Sequence, residues 1–183
     1  MTGERNPIGA IDEVCRDPQG VPERRPDDGR LPEVRMPGPR PFPPRVSAFT
    51  RPFWDALADG RLRSTRCPGC GTFSFPPRNL CRACWRRDVD WVDLPVTGVL
   101  YTFTRVHVVP GAFRADAPYA IGIVDLDGGP RLMCRLVGEV RADDLGAAVG
   151  MLVLRYDDGP LFGARLRPVD PERFDPTVRE SDR

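Results

Sequence analysis

Two Cys-x-x-Cys pairs constrain this chain more than anything else in it. The first reads Cys67-Pro68-Gly69-Cys70-Gly71, and after the ten residues Gly71 to Leu80 the second reads Cys81-Arg82-Ala83-Cys84. Two residues between paired cysteines let both thiolates turn toward one ion, and Gly69 and Gly71 permit the positive φ such turns often need. Four thiolates around zinc, with bonds of about 2.3 Å, form a closed tetrahedral site with no position left for water. A metal held this way is structural. The expected ligands are Cys67, Cys70, Cys81 and Cys84. Iron accepts the same four sulfurs and stays an alternative. Two disulfides, or four free thiols, suit the paired spacing less well.

Charge and cysteine usage narrow the function classes. The net charge is +1, so the chain as a whole is no strong electrolyte, which argues against nucleic acid or a membrane surface as partner. All 27 basic side chains are arginine, so no lysine is available for a Schiff base or for acyl transfer to an amine. No run approaches the roughly 18 apolar residues that span a bilayer. The start, MTGERNPIGAIDEV, lacks a signal-peptide pattern. With four of six cysteines in metal-type pairs, a reducing cytoplasm is the expected compartment.

The chain changes texture along its length. Many of its 22 prolines precede residue 53, and residues 1–46 are expected to be a flexible, polyproline-like arm without sheet or helix. Residues 47–60 read as a docking helix. Thr50 is placed to cap it, Pro52 suits its first turn, and Gly60 can close it. Phe53 and Leu57 fall on one face with Trp54 and Ala58 beside them; so short a helix must dock on something. Residues 61–94 hold the cysteine pairs. Residues 95–168 read as strands throughout: GVLYTFTRVHVV, PYAIGIVDLD, PRLMCRLVG, GMLVLRYDD and LFGARL. Five strands with a helical turn after the third is the order of an OB barrel, and a small β-sandwich satisfies the same pattern. Residues 169–183 form a tail.

Residues for catalysis are scarce. His107 is the only histidine, and neither an orienting group nor a nucleophile can be placed beside it. Cys134 alternates with Leu132 and Leu136, which puts it in the core as a small hydrophobe. Cys15 lies in the arm as an exposed thiol. The ribbon is locally basic, with Arg61, Arg63, Arg66, Arg78, Arg82, Arg86 and Arg87 against Asp88 and Asp90. That face can grip phosphate, or offset the −2 charge of a four-thiolate site.

The helix FWDALADGRL, the run CPGCGTFSFPPRNLCRACW and the strands beginning GVLYTFTRVHVV together resemble the DUF35 family over about residues 47–168. The resemblance implies a mainly β fold: an N-terminal helix, a rubredoxin-like zinc ribbon and a C-terminal five-stranded OB barrel. It implies structural zinc on the four cysteines named above and no catalytic residue in this chain. It further implies a non-catalytic subunit that docks on a thiolase-like acyl-CoA enzyme (thiolase, aldolase or acyltransferase) in a two-plus-two assembly. The subunit would help form the channel for the CoA thioester. Association with a MaoC-like enoyl-CoA hydratase is the alternative within the family. Outside it stand a single-stranded nucleic-acid module using Tyr101, Phe103 and Tyr119, and an iron-loaded electron carrier.

Overall fold

The computed structural model describes residues 30–167. In chain order these form strand β1 (Glu33–Arg35), helix α1 (Arg51–Ala58), and the ribbon strands β2 (Arg63–Arg66), β3 (Phe73–Ser74) and β4 (Asp90–Asp93). Five longer strands follow: β5 (Thr97–Val106), β6 (Tyr119–Leu126), β7 (Arg131–Val137), β8 (Ala148–Tyr156) and β9 (Gly159–Leu166). Cys15 and the 169–183 tail lie outside the described residues.

Period-two alternation builds the barrel. Along β6, Ala120, Gly122, Val124 and Leu126 point inward and their neighbours outward. Strands β5, β6 and β7 form an antiparallel meander, β7 pairs in parallel with β9, and β8 pairs with both β9 and β5. That circuit closes a five-stranded OB barrel, so the open-sandwich alternative falls. The helical turn expected after the third barrel strand is a single 3-10 turn, Ala142–Asp144, with the Asp144 carboxylate accepting from the Arg141 amide at 2.6 Å. Leu100, Val124, Val149, Met151, Val153 and Ala164 fill the interior. Gly98 lets the chain pass close to β6, where any β-carbon would overlap the Asp125 carbonyl oxygen.

The helix ends as expected but starts differently. Gly60, at φ +78°, completes a Schellman closure, with the Gly60 amide donating to Leu57 and the Arg61 amide to Ala56 at 2.8 Å. At the other end Thr50 makes no side-chain cap. Instead Ser47 and Thr50 bond each other reciprocally, and the Ser47 carbonyl accepts from the Arg51 amide. The buried face is Phe53, Ala56 and Leu57, at i, i+3 and i+4. Ala58, expected beside them, is exposed.

That face docks through aromatic rings. Phe53 of the helix, Phe75 of the ribbon and Phe162 of β9 form a triangle with centroids 5.3–6.0 Å apart, every pair edge-to-face. Each corner comes from a different part of the chain, so the triangle joins helix, ribbon and barrel into one core.

The flexible arm expected over 1–46 requires correction for its second part. Strand β1 pairs in parallel with β8, Glu33 to Val153 through Arg35 to Arg155. Strand β5 covers β8 only at residues 148–150, and β1 occupies the edge that would otherwise stay unpaired. Leu31 and Met36 are buried. Beyond the strand, Gly38 accepts from the Asp157 amide, and the Arg40 amide and guanidinium hold Asp158. Pro32 and Pro37 flank the strand without entering it, so the proline-rich composition does not preclude a ladder. Residues 1–29 lie outside the described residues.

Candidate metal centre

The ribbon is two knuckles carried on a small sheet of order β3-β2-β4. Its buried hydroxyls are satisfied: Ser64 donates to the Ser74 carbonyl, and Thr65 bonds both the amide and the carbonyl of Arg78. These contacts fix the base from which both knuckles project.

The knuckles repeat one hydrogen-bond pattern. In the first, the Gly71 amide donates to the Cys67 carbonyl at 2.8 Å and the Cys67 amide to the Thr72 carbonyl at 3.0 Å. In the second, the Trp85 amide donates to the Cys81 carbonyl at 3.0 Å and the Cys81 amide to the Arg86 carbonyl at 2.9 Å. Gly71 and Trp85 therefore occupy the same position, and both are left-handed, at φ +74° and +59°. For a residue with a β-carbon this conformation costs about 1–2 kcal/mol.

The four thiols converge. Their Sγ atoms all lie within 4.8 Å of one another, and Cys67–Cys84 and Cys70–Cys81 are each 3.5 Å apart. A tetrahedron with metal–sulfur bonds of about 2.3 Å has edges of about 3.8 Å. The donor set therefore fits one ion with four sulfur ligands and leaves no coordination position for water or substrate. Cys67 and Cys81 are buried, whereas Cys70 and Cys84 reach the surface.

Before metal enters, the thiols hold their protons unequally. The Thr72 hydroxyl and amide, with Cys81, pull Cys70 down to about 6. Cys84 lies at about 11; the Arg86 amide favours its thiolate, but its three thiol neighbours outweigh that and keep it protonated. Binding an ion drives the remaining protons off.

Two arginines lie against the first knuckle. Arg66 donates to the Gly71 carbonyl at 3.1 Å and stacks over Phe73. Arg86 reaches across from the second knuckle to cover Gly69, where a β-carbon would lie 2.7 Å from its Nε. Arg61 and Arg63 face Asp59 and Asp93. Arg78, Arg82 and Arg87 are exposed.

The other candidates separate from this centre. His107 is exposed, one residue past β5. Cys134 is buried in the barrel, where desolvation pushes its thiol up to about 12. In the native protein at neutral pH, an alkylating reagent is expected to leave Cys134 unmodified until the chain is unfolded, as peptide mass mapping would reveal; rapid native labelling would contradict this burial. The aromatic residues considered as base-stacking platforms each make contacts within the chain. Arg131 sits 3.8 Å over the Tyr101 ring, Arg135 lies 5.1 Å from Tyr119, and Phe103 packs against the core. No helix among the described residues is long and apolar enough to cross a membrane.

Comparison with known proteins places this architecture. Residues 54–90 match the profile of the ChsH2 rubredoxin-like zinc ribbon domain, and residues 91–155 match that of the ChsH2 C-terminal OB-fold domain. A DUF35 domain-containing scaffold protein of Methanocaldococcus jannaschii is 33% identical over 117 residues, covering 60% of this chain and 82% of the relative. The chain belongs to the DUF35 family. Another similar protein is the benzoylsuccinyl-CoA thiolase subunit BbsA of Thauera aromatica, 31% identical over 69% of this chain and 91% of the subunit. Among solved structures, a DUF35 chain of the Ltp2-ChsH2(DUF35) aldolase superposes with a TM-score of 0.58 at 30% identity, covering 68% of this chain and 98% of that one.

Sequence reasoning found the four cysteines but missed Trp85. The signal was present: aligning CPGCGT with CRACWR sets tryptophan against the glycine of the first knuckle.

Proposed function

We propose that this chain is a non-catalytic partner subunit of a thiolase-like enzyme acting on acyl-CoA, and that it lines part of the channel for the CoA thioester. The observation that carries this reading is the similarity to BbsA, which runs over 91% of that thiolase subunit. The likeness therefore runs over nearly the whole of that subunit, which supports the same kind of role for this chain. The chain's own chemistry agrees. Four sulfurs would saturate a zinc ion held by Cys67, Cys70, Cys81 and Cys84, so the metal supplies rigidity and no activated water. The buried Cys134 thiol keeps its proton at neutral pH. Chemistry then belongs to the partner, and this subunit acts through its surfaces.

Coexpression with a candidate thiolase-like enzyme subunit tests the proposal. The expected product is a colourless, zinc-loaded complex whose mass fits two copies of each chain. A chain that purifies as a lone monomer in the presence of that protein contradicts the reading, and a red, redox-active preparation contradicts the choice of zinc over iron.

A further inference from the structure

We infer that the tip of the second knuckle, Trp85 flanked by Arg82 and Arg87, is a docking knob that seats in an apolar, acid-rimmed pocket of the enzyme subunit. This rests on the partner-subunit reading and deepens it by naming the contact.

The argument starts from a mismatch between the two knuckles. They share one backbone geometry, and the first meets its left-handed position with Gly71, the residue type for which that conformation is easy. The second meets it with Trp85, the bulkiest side chain available, at φ +59°. Burial within the chain does not compensate, because the indole is 73% exposed. Among the described residues no aromatic or cation–π contact involves it. A strained position carrying an exposed tryptophan points to a function outside the isolated fold.

Charge and shape decide the occupant. Arg82 and Arg87 are exposed beside Trp85, with no ion pair among the described residues, whereas Arg86 is turned back over Gly69. The knob is therefore an aromatic centre with two exposed arginines close to it in the chain, and the exposed Asp88 following Arg87. Small-molecule sites bury most of the ligand in a concave pocket, which an exposed turn does not provide. Single-stranded nucleic acid needs successive open rings, and Tyr101 and Tyr119 each already pair with an arginine of this chain. Tryptophan and arginine are the residue types that dominate protein hot spots. Carboxylates on the facing surface would complement the two arginines. The Trp85 amide donating to the Cys81 carbonyl, and the Cys81 amide donating to the Arg86 carbonyl, fix the knob before it binds, which lowers the ordering needed on association. The metal's role is then concrete: it holds Trp85 in presentation.

The test uses the full metal-loaded chain and the thiolase-like subunit with which it copurifies. Trp85→Gly is expected to keep its zinc and to unfold at the same or a slightly higher temperature, because glycine relieves the left-handed strain. Its affinity for the partner should fall about 30-fold or more, the range of a hot-spot residue. Arg82→Glu/Arg87→Glu, which leaves the backbone conformation alone, should slow association about tenfold at low salt and reverse its salt dependence. The inference is overturned, with the partner-subunit reading intact, if the wild-type chain binds and Trp85→Gly binds within about threefold of it. It is overturned equally if Trp85→Gly loses its metal or its stability, since the indole is then structural. Failure of the wild-type chain to bind overturns both.

Discussion

Cys81→Ser is expected to abolish metal binding and unfold the ribbon while the barrel survives. The ribbon cannot hold itself together without the ion, because its sheet has strands of only four, two and four residues and so small a sheet is marginal in water. Structural zinc in comparable small modules contributes roughly 10–16 kcal/mol, so losing one of four thiolates forfeits several. Cys81 is also buried, and a serine hydroxyl there neither ligates well nor fills the sulfur's volume. The barrel is closed by its own strand pairing and keeps its protection. Elemental analysis with hydrogen exchange would show substoichiometric zinc and lost protection across residues 63–93. Full metal content with native protection would contradict the central role of the four sulfurs.

Phe53→Ala is expected to have the second-largest effect, about 3–5 kcal/mol, the usual range for removing a buried phenylalanine. The ring is 4% exposed and is the helix's corner of the triangle with Phe75 and Phe162. Removing it opens a cavity where helix, ribbon and barrel meet, in the one buried cluster that Leu57, Leu62 and Leu94 also share with the barrel. The thermal midpoint should drop by roughly 10 °C, given about 2–4 °C per kcal/mol for a chain of this size. Phe42→Ala is the matched control: that ring is 74% exposed, and its loss should stay within about 0.5 kcal/mol. Equal effects from the two substitutions would show that the triangle is not the junction.

What could be read in advance was what is encoded locally. The cysteine spacing, the alternation along β6 and the closing Gly60 each depend on a few neighbouring residues, and each was visible. What escaped was set by distant partners. Strand β1 exists because β8, about 120 residues away in sequence, has half an edge left open; composition rich in proline hides such a pairing. Thr50 stands at the N-cap position, but its hydroxyl is engaged by Ser47 instead of capping the helix, a reciprocal bond that propensity does not resolve. Tyr101 looked like a free ring until the bulge beside Leu100 and the Arg131–Asp125 pair brought a guanidinium over it. Trp85 was the exception, a local feature that internal comparison of the two knuckles would have exposed.

Turnover of a CoA thioester by the thiolase-like protein, measured alone, with this chain added, and against this chain by itself, probes the division of labour most directly. A docking subunit gives no turnover by itself and raises the enzyme's rate until the two chains are equimolar. Turnover by the isolated chain, or an enzyme indifferent to its addition, would contradict that division.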